Sequence, residues 1–176
     1  VLVLQAAAFS PEAEAGASPY GALGSRAVEA AQAGQLDAAL QSLEEAIASD
    51  RSRPEALIER GGVFFLQEKY DAAARDLAQA LARGADAHAR ELLAASLHLL
   101  GREEEALASW NLLGGPKVAG LEITGLERTR DEVARRELLF DEGERLDLDE
   151  LRETERRLLE TGAFEQVTVR TRPHGD

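Results

Sequence analysis

The chain has no cysteine among its 176 residues. That excludes disulfides, thiolate zinc sites and thiol nucleophiles. It does not fix the compartment, because proteins of oxidising compartments can also lack cysteine. There is no apolar run of the roughly 18 residues that a membrane-spanning helix requires. Positive charge is scarce: 20 basic residues stand against 33 acidic ones, for a net charge of −13. The imbalance is general, with 17 acids and 9 bases before Gly114 and 16 and 11 from there on. Neither half carries the Lys and Arg clusters that displace counterions from nucleic acid, so no nucleic-acid partner is expected. The same acidity opposes docking on anionic lipid headgroups.

Groups able to do chemistry are also few. The three histidines are His88, His98 and His174. The first two are ten residues apart, about 15 Å along one helix, too far to share a metal. No zinc-protease motif, nucleophile elbow, P-loop or dinucleotide fingerprint is present. The runs Glu44-Glu45 and Glu103-Glu104-Glu105 read as solvated helix faces. A calcium or magnesium site would need oxygens converging on one point. No catalytic residue, metal ligand or cofactor is assigned, and the chain is expected not to be an enzyme.

What the chain does have is a repeat. Gly34, Glu68 and Gly101 are spaced 34 and 33 residues apart. So are Ala39, Ala73 and Ala106; Leu43, Leu77 and Trp110; and Ala46, Ala80 and Leu113. This period, with two helices per unit, resembles the tetratricopeptide (TPR) repeat over about three units between residues 20 and 113. The middle unit matches best, through Leu57, Gly61, Phe64, Tyr70, Ala73, Leu77 and Ala80. Small residues at Gly61 and Ala73 should let the two helices of a unit approach closely. One unit cannot bury its apolar face, so neighbours must stack.

The resemblance implies a groove lined by the first helix of each unit. Carried over by position, it holds Glu55, Ile58, Gly62, Phe65 and Leu66 from the second unit, and His88, Glu91, Ala95, His98 and Leu99 from the third. The first unit adds Val28 and Gln32. The family's carboxylate clamp uses Lys, Asn and Arg at such places. Those are absent here, so binding of chaperone tails is not expected. The competing reading makes Phe65 and Leu66 part of the core.

Residues Leu121 to Val169 carry a second pattern. Leu121 and Ile123 alternate with Glu122 and Thr124 as in a half-buried strand. Thr129 and Glu132 have capping-box spacing, and Asp147 with Glu150 repeats it. Leu148, Leu151, Leu158 and Leu159 recur at helical intervals. Gly162 suits a left-handed C-terminal cap. Phe164 and the alternation from Val167 to Arg170 suggest a second strand. Ile123-Thr124-Gly125, Arg128-Thr129, Val133, Arg136-Glu137-Leu138, Gly143, Leu151, Leu158 and Gly162-Ala163-Phe164 with Val167 together resemble a POTRA domain, a module found before outer-membrane β-barrels. The resemblance implies a β-α-α-β-β fold whose third strand is not reached by Asp176. It also implies a free strand edge at Phe164, Gln166, Val167, Thr168 and Val169, open to pairing with an extended peptide.

The expected architecture is therefore α+β and mostly α. Residues 1–19 read as a signal-peptide remnant or flexible N-terminus, from an apolar start and an Ala-Glu-Ala tripeptide. Residues 20–113 form TPR-like repeats, 114–118 a Gly/Pro hinge, and 119–176 an incomplete β-α-α-β module. The expected role is a non-catalytic scaffold, periplasmic and attached to the outer membrane. It would serve outer-membrane protein assembly or translocation, with a barrel continuing C-terminal to it. Its partners would be other proteins: envelope assembly factors or unfolded client segments. The alternatives are the periplasmic part of a bitopic inner-membrane cell-division protein, and an accessory region of an enzyme whose catalytic domain lies elsewhere.

Overall fold

A computed structural model of the chain describes residues 30, 33–124, 126 and 129–167. The expectations for residues 1–19, for the first helix of the first repeat with Val28 and Gln32, and for Gly125, Arg128, Thr168 and Val169 lie outside them. Cα proximity divides the chain into two compact units, with the division between Ser109 and Trp110.

The first unit is a run of helical hairpins: α1 Leu36–Ser49, α2 Glu55–Leu66, α3 Tyr70–Ala82, α4 Ala87–Leu99 and α5 Glu103–Asn111, whose end crosses the division. Each link is only a few residues long, which makes successive helices antiparallel. Helices α2 and α4 therefore run the same way, with α3 between them.

The repeat register read from the sequence is the one the helices obey. Ala39, Ala73 and Ala106 are all fully buried, and so are Leu43 and Leu77. One cluster joins α1 to α2 through Ala39, Leu43, Ala46, Ala56 and Val63. Another joins α3 to α4 through Ala73, Leu77, Ala89 and Leu92, with Ile58, Phe64 and Phe65 of α2 against it. The small residue at Gly61 does what its spacing suggested. A Cβ placed there would stand 2.9 Å from Leu77 Cγ, well inside van der Waals contact.

The turns carry the period too. Gly34, Glu68 and Gly101 have φ of +74°, +59° and +73°. Behind them, the amides of Gln35, Lys69 and Arg102 donate to the carbonyls of Ala30, Phe64 and Leu97 at 2.7, 2.9 and 2.9 Å. This is the six-to-one bond of a Schellman cap, in which the left-handed residue lets the chain turn back on the helix end. Among the described residues Glu68 is the one non-glycine with positive φ.

The second unit holds two helices, α6 Asp131–Arg135 and α7 Leu148–Glu160. Its core is Val118, Leu121, Ala134, Phe140, Leu146, Leu151, Thr154 and Leu158. Asp147 caps α7 as its spacing implied, accepting from the amides of Asp149 and Glu150 at 2.8 and 3.4 Å. Gly162 follows α7 with φ +67°. The Thr129 capping box does not form: α6 begins one residue later, after Arg130, with no side-chain cap.

The expected β-α-α-β module is not present among the described residues, and the fold class is corrected accordingly: they are helical, TPR-like and without a sheet. The β content is an isolated antiparallel bridge between Lys117 and Arg145. Leu121–Thr124 forms no strand, and Leu121 N–H donates to Glu142 Oε1 at 3.1 Å instead of to a ladder partner. Phe164, Gln166 and Val167 form no strand either. Period-two alternation dictates which face each side chain takes, but a strand exists only where a neighbour supplies the opposing N–H and C=O groups.

The segment expected as a hinge, residues 114–118, is hydrogen-bonded at both ends. Gly115 N–H closes α5 on Trp110 O at 2.8 Å. Pro116 O accepts from Leu146 N–H at 2.9 Å, and Val118 N–H donates to Glu144 O at 2.8 Å. A Cβ on Gly115 would meet Leu146 O at 3.2 Å, so glycine is what permits this approach. Asn111 fastens the same place, donating to Leu146 O at 2.7 Å and accepting from Leu148 N–H at 2.9 Å.

Candidate functional site

Helical geometry divides the α2 positions into two stripes. Glu55, Glu59, Gly62 and Leu66 recur at four, three and four residues and share one stripe. Ile58 and Phe65 lie beside it and turn toward the core cluster of α3 and α4. On α4 the corresponding stripe is His88, Leu92, Ala95 and Leu99, with Glu91 and His98 beside it. The two stripes meet at mid-helix, where Leu92 Cδ2 lies 3.9 Å from the point a Cβ on Gly62 would occupy.

Each expected groove residue has a definite place. Leu66 is 65% exposed and Leu99 50%, at equivalent positions of successive repeats. Neither is core. Phe65 is partly buried and stacks edge-on against Tyr70, with ring centroids 5.3 Å apart, so it belongs to the core side. Ile58 packs against the same cluster. Glu55 and Glu91 are exposed, and His88 is partly exposed. His98 spans the turn into α5: its Nδ1 lies 2.9 Å from Glu103 Oε2, and its side chain is 13% exposed. It supports that turn more than it lines a groove. The structure thus brings together Glu55, Leu66, His88, Glu91 and Leu99 along two parallel helices, and withdraws Ile58, Phe65 and His98 from the open surface.

Two features escaped the sequence reading. The first is Glu59, in the Glu55–Leu66 stripe. Burial, and then the Glu55 carboxylate one turn before it, push its carboxyl above the usual range. The four-residue spacing of the two glutamates could have shown this. The second is the pair Arg60–Asp76, which joins α2 to α3. Its two bonds are Nε to Oδ2 at 2.6 Å and Nη2 to Oδ1 at 2.8 Å. Asp76 is buried and the Arg60 guanidinium lies 5.8 Å from the Phe64 ring centroid. No local pattern links residues 60 and 76.

In the second unit the described part of the expected peptide edge, residues 164–167, has no strand to present it. Phe164 and Val167 are partly buried and Gln166 is exposed. Thr154 is a residue the sequence reading missed there: it is fully buried and its Oγ1 accepts from Leu139 N–H at 3.1 Å. Among the described residues no group of three or more His, Cys, Asp or Glu is arranged to hold a metal ion. No described helix is long and apolar enough to cross a membrane.

Comparison with known proteins follows the same division. Residues 116–176 match the family model of POTRA, the surface antigen variable number repeat. Among solved structures, the chain is similar to the second TPR of Spaghetti (RPAP3) bound to the HSP90 peptide SRMEEVD. The two are 22% identical with a TM-score of 0.51, over 53% of this chain and 90% of that one. It is also similar to the first TPR domain of human RPAP3, at 19% identity and a TM-score of 0.51, over 81% of this chain and 94% of that one. A comparison with curated proteins finds no match. The chain therefore joins TPR-like helical hairpins to a C-terminal segment that resembles POTRA domains.

Proposed function

We propose that this chain is a non-catalytic protein-interaction scaffold whose first unit holds an extended segment of another protein along α2 and α4. The observation that carries the reading is the pair Leu66 and Leu99. Two leucines at least half exposed to water, at matching positions of parallel helices, make an apolar rail. The similar Spaghetti structure, whose TPR holds a peptide, supports it. The POTRA match supports a finer reading: the periplasmic part of an outer-membrane barrel protein, serving outer-membrane protein assembly or translocation.

Two measurements test the two levels. A photo-crosslinking residue at Leu66 or Leu99, in the full protein in its own cells, should trap protein partners. The same residue at the exposed Arg75 of α3 should not. Equal trapping at all three positions refutes the groove. For the finer reading, the full protein should fractionate with the outer membrane and become protease-sensitive only after that membrane is permeabilised. Digestion in untreated intact cells, or protection that persists after the outer membrane is permeabilised, would refute it.

A further inference from the structure

The rail has a polarity. In the N-terminal halves of α2 and α4 stand Glu55, Glu59 and Glu91; at the C-terminal ends stand Leu66 and Leu99. Between them lie Gly62 on α2 and Leu92 and Ala95 on α4, with Leu92 packed against Gly62 and no charged side chain in the way. No Lys or Arg occupies either stripe. We infer that the groove selects a basic segment: an extended stretch whose Arg or Lys side chains meet Glu55, Glu59 and Glu91, and whose apolar side chain rests on Leu66 and Leu99. The inference rests on the groove reading above and adds the chemistry of its occupant.

The spacing sets the length of the motif. Glu59 to Leu66 and Glu91 to Leu99 are separated by about 10–12 Å along the helix axes at ~1.5 Å per residue. An extended peptide covers that in three or four residues at ~3.3 Å each. Charge complementarity favours this occupant over an acidic one. A peptide like SRMEEVD ends in carboxylates, which would be set against carboxylates here. The raised pKa of Glu59 agrees: burial first, and then the Glu55 carboxylate a turn away, disfavour its charge, and a bound cation offsets the repulsion between the two glutamates. The overall charge of −13 also draws cationic segments toward the chain at low salt.

The test uses the full chain and labelled Gly-Ser peptides carrying Arg-Arg and, four residues away, Leu, in both orders. Counterparts replace Arg-Arg by Glu-Glu, or Leu by Ser. Fluorescence anisotropy should show binding by an Arg–Leu peptide and none by the Glu–Leu peptides. Affinity should fall about tenfold in the Glu55→Gln/Glu91→Gln variant, a loss of about 1.4 kcal/mol. Leu66→Ser should weaken it comparably, and both variants change exposed residues, so folding is checked by an unfolding midpoint no lower than that of the wild type. Equal binding of Arg and Glu peptides would overturn the basic chemistry while leaving the groove standing. Binding that neither Leu66→Ser nor Leu99→Ser weakens would overturn the groove itself. Failure of both Arg–Leu orders to bind, or self-association of the chain released by Leu66→Ser, would overturn the inference.

Discussion

Glu68 sits where the neighbouring repeats place glycine, and the structure makes the consequence calculable. Its φ of +59° is left-handed, while Gly34 and Gly101 at the equivalent turns have +74° and +73°. A side chain in that region costs about 1–2 kcal/mol, because Cβ crowds the following carbonyl oxygen. Glycine removes that cost but gives back about 0.5–1 kcal/mol through the freedom it adds to the unfolded chain. Glu68→Gly should therefore stabilise the first unit by about 0.5–1 kcal/mol, the balance of those terms. The reverse changes should be the mirror image. A Cβ at Gly34 or Gly101 would find no atom within 4 Å, so Gly34→Ala and Gly101→Ala probe the backbone alone. Each should lose about 0.5–1 kcal/mol. Urea denaturation reads this directly. With slopes of about 1–3 kcal/mol/M, the midpoint should move by a few tenths molar, up for Glu68→Gly and down for the two alanines, with slopes unchanged. Glu68→Ala separates backbone from side chain, since it keeps the Cβ and removes the carboxylate. If Glu68→Ala stabilises as much as Glu68→Gly, or if Glu68→Gly does not stabilise at all, the strain argument is wrong.

Three further outcomes follow from the same packing. Gly61→Ala would put a methyl 2.9 Å from the fully buried Leu77 Cγ, and should lower stability by about 1–3 kcal/mol despite alanine's better helix propensity; an unchanged thermal midpoint would show that α2 and α3 can part without cost. Arg60→Ala leaves Asp76, whose side chain is 6% exposed, without its bidentate partner and should cost about 3–5 kcal/mol, whereas the apolar pair Arg60→Met/Asp76→Leu should come close to wild type; a double variant no better than Arg60→Ala would contradict this. Glu59 binds its proton more tightly when folded than unfolded, so its penalty is full above its folded pKa and is relieved as pH falls through that value. Glu59→Gln should thus stabilise at pH 7, since burial and then the Glu55 carboxylate disfavour the charge; the repulsion alone is worth about 0.2–0.5 kcal/mol, and the gain should shrink toward pH 4; a gain independent of pH would assign it to something other than the carboxylate.

The first unit was largely legible because its determinants are periodic. Ala39, Ala73 and Ala106 announce the buried seam by identity and spacing together, and the structure buries all three completely. A stack has one interface type, so one residue's environment predicts its counterpart 33 or 34 residues on. What periodicity did not supply was the orientation of individual groove residues. Phe65 and Leu66 are adjacent, yet a step of about 100° around the helix sends one to the Tyr70 ring and leaves the other 65% exposed. His98 was assigned a wall position by repeat register, but Glu103, five residues on, draws its ring across the turn. Arg60 and Asp76 were illegible for a different reason: their partnership exists only once two helices have packed.

The second unit shows where local reading stops. Its α7 was legible because a capped helix carries its own hydrogen bonds, and Asp147, Leu151, Leu158 and Gly162 mark its start, face and end. A strand carries none of its own. Leu121–Thr124 has the right alternation, and Leu121 is buried, but the N–H that a ladder would use is satisfied by Glu142. The pairing that does form joins Lys117 with Arg145, which the alternation at Leu121–Thr124 did not point to. It arises because Gly115 lets the backbone reach Leu146 and because Asn111 serves both Leu146 O and Leu148 N–H. A glycine pair before a proline reads as a break when taken alone. Here Gly114 and Gly115 have φ of +105° and +76°, and the bonds from Gly115 N–H to Trp110 O and from Leu146 N–H to Pro116 O both lie within the second unit.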